Sequence, residues 1–126
     1  MARILRIGAA QMAGISRKDP KEHAVDRLIL QIRNAHAEGC DVVVFPELTL
    51  TTYFARWFIE DEDDLDSFYE REMPSPITQP LFDEAARLKI GFHLGFAELV
   101  DDGGEKRRFN TSVLVDKSGQ IINKFR

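Results

Sequence analysis

Cysteine is almost missing from this chain: Cys40 is the only one in 126 residues. An internal disulfide is excluded, and a lone thiol suits a reducing cytoplasm, the expected compartment. A basic excess is missing too, with 17 Lys and Arg against 21 Asp and Glu and a formal net charge of −4. That balance argues against a nucleic-acid partner. No apolar run approaches the ~20 residues of a membrane-spanning helix, so no membrane partner is expected. Met1-Ala2-Arg3 leads straight into Ile4-Leu5-Arg6-Ile7, which is too short and too interrupted to read as a secretory signal. Without export, the glycosylation pattern Asn110-Thr111-Ser112 carries no weight. His23, His36 and His93 show no ligand spacing with one another, and no metal site is expected. Glu60-Asp61-Glu62-Asp63-Asp64 lacks the glycine and the spaced terminal glutamate of a calcium loop, and reads as a solvated acidic face or the start of a helix. Low-complexity linkers and internal repeats are absent, and the length allows one modest domain.

What is present is an alternation of strand and helix patterns. Arg3 to Gln11 has strand character, with Ile4, Leu5, Ile7, Ala9 and Ala10 expected to be mostly buried. Asp19-Pro20-Lys21-Glu22 predicts a helix start, with Asp19 as cap, Pro20 in the first turn and Glu22 completing a capping box. Val25, Leu28, Ile29, Ile32 and Ala35 follow at helical spacing, giving a helix from about Pro20 to Glu38 that ends at Gly39. No Gly-rich loop joins the first strand to this helix, which argues against a dinucleotide or phosphate site; no cofactor is expected. Further on, Asp64 to Arg71 predicts a short helix, and Thr78 to about Leu88 a longer one. Strands are predicted at Ile90–Val100, Phe109–Asp116 and Gln120–Arg126, with a hairpin turn at Asp101–Gly104. The order β-α-β, loop, α-β and hairpin fits a layered α/β domain around a mixed sheet.

The stretch around which the chain is organised is Val42-Val43-Val44-Phe45-Pro46-Glu47. Its unbroken β-branched run reads as a strand covered on both faces. Pro46 has no N–H for the ladder, so Glu47 is expected just past the strand's carboxyl end, where open α/β sheets place their ligands. A carboxylate there serves either as a cap or ion-pair partner or as a catalytic group. Thr51 to Phe58 puts four aromatics into eight residues, readable as a loop anchored in the core and as the wall of a pocket. Cys40 opens the strand rather than ending it, and is expected to be a buried structural thiol.

Val43-Val44-Phe45-Pro46-Glu47 resembles the first catalytic signature of the nitrilase, or carbon–nitrogen hydrolase, superfamily. Leu48-Thr49-Leu50-Thr51-Thr52-Tyr53-Phe54, Arg56-Trp57 and Arg107-Arg108-Phe109-Asn110-Thr111-Ser112 are similar, more narrowly, to N-carbamoyl-D-amino-acid amidohydrolases. The resemblance runs over essentially the whole chain. It implies the N-terminal part of a four-layer αββα sandwich, with residues 1–126 forming part of one hydrolase domain. It implies Glu47 as general base in a Cys-Glu-Lys mechanism acting on a small carbamoyl or amide substrate, and a homo-oligomer when complete. The family's lysine is expected at the position after Arg126, since Gly119–Arg126 resembles the segment leading into it; Lys124 and Arg126 share the opposite strand face. The family's nucleophile is expected further downstream and is not Cys40. On its own residues, Arg107–Ser112 reads as a basic hairpin followed by a polar-edged strand, with no catalytic role. Rival readings are another superfamily activity (β-ureidopropionase, aliphatic amidase or nitrilase) and a non-catalytic α/β interaction module.

Overall fold

Val25, Leu28 and Ile32 recur on one side of a helix, and in the computed structural model, which describes residues 2–126, they form the buried face of α1 (Lys21–Ala37). Its start differs from the expected capping box. Pro20 occupies the N-cap position and no side chain caps the helix. Asp19 instead accepts from the Ser16 N–H at 2.9 Å, closing the preceding turn, and lies 3.8 Å from Arg27. The end is as expected, at Gly39 with a left-handed φ of 74°.

Five strands make one sheet in the spatial order β1 (Ile7–Ala9), β2 (Val42–Val44), β3 (Gly91–Asp102), β4 (Glu105–Val115) and β5 (Ile121–Phe125). The first three run parallel and the last three antiparallel. The hairpin strands are longer than expected, meeting at the tight Gly103-Gly104 turn, where both glycines have positive φ. Between β2 and β3 come α2 (Glu62–Asp66) and α3 (Gln79–Leu88). The acidic run does begin a helix: Asp61 caps α2 by accepting from the N–H groups of Asp63 and Asp64. Thr78 stands at the N-cap position of α3, but its hydroxyl accepts from the Ser75 N–H at 2.8 Å rather than from the helix.

α1 and α3 lie side by side on one sheet face. Between them and the sheet sit Val43, Phe45, Phe92, Leu94, Phe96, Val113 and Val115, with Phe92 edge-on to both Phe45 and Phe82. Burying large side chains like these, at ~25 cal/mol per Å² of apolar surface, is the main favourable term for the layer. The opposite face takes the alternate residues of each strand. Among the described residues nothing covers much of it. Ile7 is 57% exposed, Val44 39%, Leu114 36% and Phe125 75%. The expectation of a first strand that is mostly buried, and of a second covered on both faces, is therefore corrected. Neither has a helix over its other face: α1 and α3 lie on one side, while α2, on the other, sits over β3 and β4 beside Ala97, Lys106 and Arg108.

Candidate active site

The chain leaves β2 against β3. Phe45 N–H still bonds to the His93 carbonyl at 3.0 Å, and Pro46 then ends the ladder. The turn that follows has Leu48 in a left-handed conformation, φ 49°. It is fastened by Thr49, whose N–H and hydroxyl both donate to the Gly95 carbonyl, at 3.1 and 3.0 Å. Gly95 is required there: a Cβ on it would stand 3.0 Å from the Pro46 carbonyl oxygen and 3.2 Å from the Glu47 Cα. Glu47 thus lies on β3, just beyond the carboxyl end of β2, with its side chain exposed.

Ala97 is the next β3 residue on that face, and its cross-strand partner is Asn110. From there Asn110 Nδ2 donates to Glu47 Oε1. Glu47 borders two clefts of about 240 and 220 Å³. Leu48 and Tyr53 also line both, while Tyr69, Phe109 and Asn110 belong to the second. The aromatic loop serves in both expected capacities. Phe54 stacks on Phe68 at 4.7 Å and touches Tyr69, anchoring the loop, while Tyr53 and Phe54 face the second cleft.

Ion pairs surround this arrangement. Arg108, on the same β4 face as Asn110, is drawn to Asp66 at 2.7 Å, and Lys106 joins the same carboxylate. Lys106 and Arg108 together hold the Asp66 carboxyl below its ordinary range. On the helix-facing side Glu98 is buried within β3 and bound by Arg126, Lys124 and Thr111. Lys124 and Arg126 therefore do share a face, as strand alternation requires. Arg126 foremost, then Lys124 and Thr111, bring the Glu98 carboxyl from 4.5 down to about 2, against the opposing effect of burial.

A folded-state value below the unfolded one means that stability is fully present above about 4.5 and lost as the pH falls through about 2. Glu98→Gln in the complete protein should cost about 2 kcal/mol near neutrality. That is below the figure for a fully buried pair, because Lys124 and Arg126 can turn to solvent. Melts at pH 7, 4 and 3 check this: the gap between parent and variant should narrow with acid, and a gap independent of pH would contradict it.

Cys40 is only half-buried. It packs on the core edge and lines a groove of about 490 Å³ between β1 and α1, with Gly8, Gln31, Asn34 and Glu38. The expected sealed thiol is corrected to this extent: β1 is an edge strand, which leaves the groove open. None of the residues lining it borders Glu47. His93, half-buried in β3, has an unpartnered Nδ1. Among the described residues no three His, Cys, Asp or Glu converge to hold a metal ion, and no helix is long and apolar enough to cross a membrane.

The family model for carbon-nitrogen hydrolase matches residues 6–126. The chain belongs to this family. Solved structures share its fold. An amidase from Nesterenkonia sp. is 19% identical with a TM-score of 0.65, over 97% of this chain and 42% of that one. The Nesterenkonia amidase is described as from the nitrilase superfamily. A carbon-nitrogen hydrolase from Helicobacter pylori G27 is 23% identical with a TM-score of 0.66, over 97% and 39%. A glutamine-dependent NAD+ synthetase from Acinetobacter baumannii is 24% identical with a TM-score of 0.64, over 96% and 20%. The chain thus spans less than half the length of each of these structures. Its α/β architecture is the nitrilase-like one expected from the sequence.

Proposed function

We propose that residues 1–126 are the N-terminal part of a longer carbon–nitrogen hydrolase domain, in which Glu47 is the general base. The observation that carries this reading is the placement of the Glu47 carboxylate: fixed by Asn110 at the carboxyl end of β2 and open to two adjoining clefts. The β4–β5 register adds support. Ser112 pairs with Phe125 in an antiparallel ladder, so the position two beyond Phe125 falls opposite Asn110, on the Glu47 side of the sheet. A lysine there, as the resemblance implies, stands where it can assist chemistry at Glu47.

In this mechanism Glu47 takes the proton of a cysteine thiol supplied by the rest of the domain, and the thiolate attacks the substrate carbon. The C–N bond of the tetrahedral adduct then breaks, ammonia leaves with the proton Glu47 took up, and a covalent intermediate remains. The lysine stabilises the tetrahedral oxyanion. Water, activated by the same glutamate, then releases the enzyme, without a cofactor. The substrate we assign is an N-carbamoyl-D-amino acid, hydrolysed to D-amino acid, ammonia and carbon dioxide. Support comes from the similarity of Leu48–Phe54, Arg56-Trp57 and Arg107–Ser112 to that group. A cytoplasmic homo-oligomer accompanies this reading. A second reading, an aliphatic amidase, is favoured by the Nesterenkonia amidase, one structure of which is a complex with butyramide.

Ammonia release by the complete protein decides between them. N-carbamoyl-D-amino acids, N-carbamoyl-β-amino acids, aliphatic amides and nitriles are offered in parallel. The expected outcome is turnover of the first class well above the others. Preference for simple amides would replace the carbamoyl reading, and no hydrolysis of any class would favour an interaction module.

A further inference from the structure

Glu47 has one side-chain partner among the described residues, and it is not a cation. Arg108 shares the Asn110 face of β4 but is held by Asp66. The surface between Asn110 and Glu47 is built from small residues: Gly95 lets the Pro46–Leu48 backbone lie on β3, and Ala97 separates that turn from Asn110 without a bulky side chain. Asn110 reaches the carboxylate across this bed, and among the described residues its side chain makes no other hydrogen bond. The amide donates to Oε1, so Oε2 is the oxygen left unpaired.

We propose that Asn110 is the positioning residue for Glu47. Its N–H fixes the rotation of the carboxylate and leaves Oε2 as the oxygen that exchanges protons in the cleft. The inference rests on Glu47 being the general base, and it gives Asn110 a role that acts wholly through that residue. Arg107–Ser112, read from the sequence as having no catalytic role, would on this inference supply a positioning residue through Asn110.

The test uses the complete protein and its best substrate. Asn110→Ala should lower kcat on the order of tenfold while KM stays within about twofold, as expected for lost orientation of a reacting group. Asn110→Asp keeps the shape, removes the donor and sets a second carboxylate beside the first, so it should lose more than Asn110→Ala. If Asn110 only filled space, the isosteric Asp would be the milder change. In a Glu47→Gln background, Asn110→Ala should cause no further loss, because there is no base left to orient. Near-parental kcat in both folded Asn110 variants overturns the inference, and so does a full additional loss on top of Glu47→Gln. Parental activity in Glu47→Gln alone overturns the general-base reading instead, so the two failures are distinct.

Discussion

A Glu47→Gln variant of the complete hydrolase is expected to fold like the parent and to turn over roughly two or more orders of magnitude more slowly, as loss of a positioned base does. The folding half follows from the surroundings of Glu47. Its side chain is exposed, makes no ion pair among the described residues and contributes nothing to the core. Gln keeps an Oε1 that can accept from Asn110, so the Pro46–Thr49 turn keeps its fastenings on Gly95. The catalytic half follows from the chemistry. An amide cannot take a thiol proton, and the thiol is a far weaker nucleophile than its thiolate. Thermal melts of both proteins, with steady-state ammonia release, measure the two halves separately. Parental turnover in a folded Glu47→Gln protein would return Glu47 to an ordinary loop carboxylate.

The position of Glu47 was legible because its cause is local. A β-branched run followed by proline ends a strand wherever it occurs, and the next residue stands at the sheet's carboxyl edge. The helix faces were legible for the same reason, since Val25, Leu28 and Ile32 need only the helical repeat. Asn110 was not legible. Its contact with Glu47 spans 63 residues and depends on the pairing of Ala97 with Asn110. An asparagine within a strand carries no periodic signal of such a partner. The one available hint was that Arg107–Ser112 resembles the same family as the Glu47 stretch. Glu98 escaped notice similarly. It sits inside the apolar run of β3, and its partners lie 26 and 28 residues away, across two strand pairings. Strand alternation put Lys124 and Arg126 on one face but could not say what they would meet there. A continuous apolar run shows that both faces of a strand want cover, yet not which elements supply it. That is why Val44 and Ile7 emerge exposed here.

Residues 1–126 produced on their own are expected to self-associate, to melt without a sharp transition and to release no ammonia from N-carbamoyl-D-amino acids. The register puts Ile7, Val42 and Val44 on the same side of the sheet as His93, Leu114 and Phe125. Over these residues that side carries no helix, since α2 reaches only the far end of β3 and β4, and the most exposed of them, Phe125, stands on an edge strand. A contiguous apolar surface beside unpaired strand backbone draws chains together, whether face to face or edge to edge. Substituting Phe125→Asp and Leu114→Asn should reduce the association by breaking up that surface, while leaving the α1–α3 core untouched. Catalysis should be absent on separate grounds: Glu47 alone has no thiol to deprotonate, and Cys40 lines a groove that Glu47 does not border. Joining the remainder of a hydrolase domain should restore solubility and turnover together, since the same segments would cover the sheet and bring the nucleophile. Sedimentation, calorimetry and an ammonia assay on the 126-residue chain examine each part. A monomer with a cooperative melt would refute the folding argument, and hydrolysis above background would refute the catalytic one.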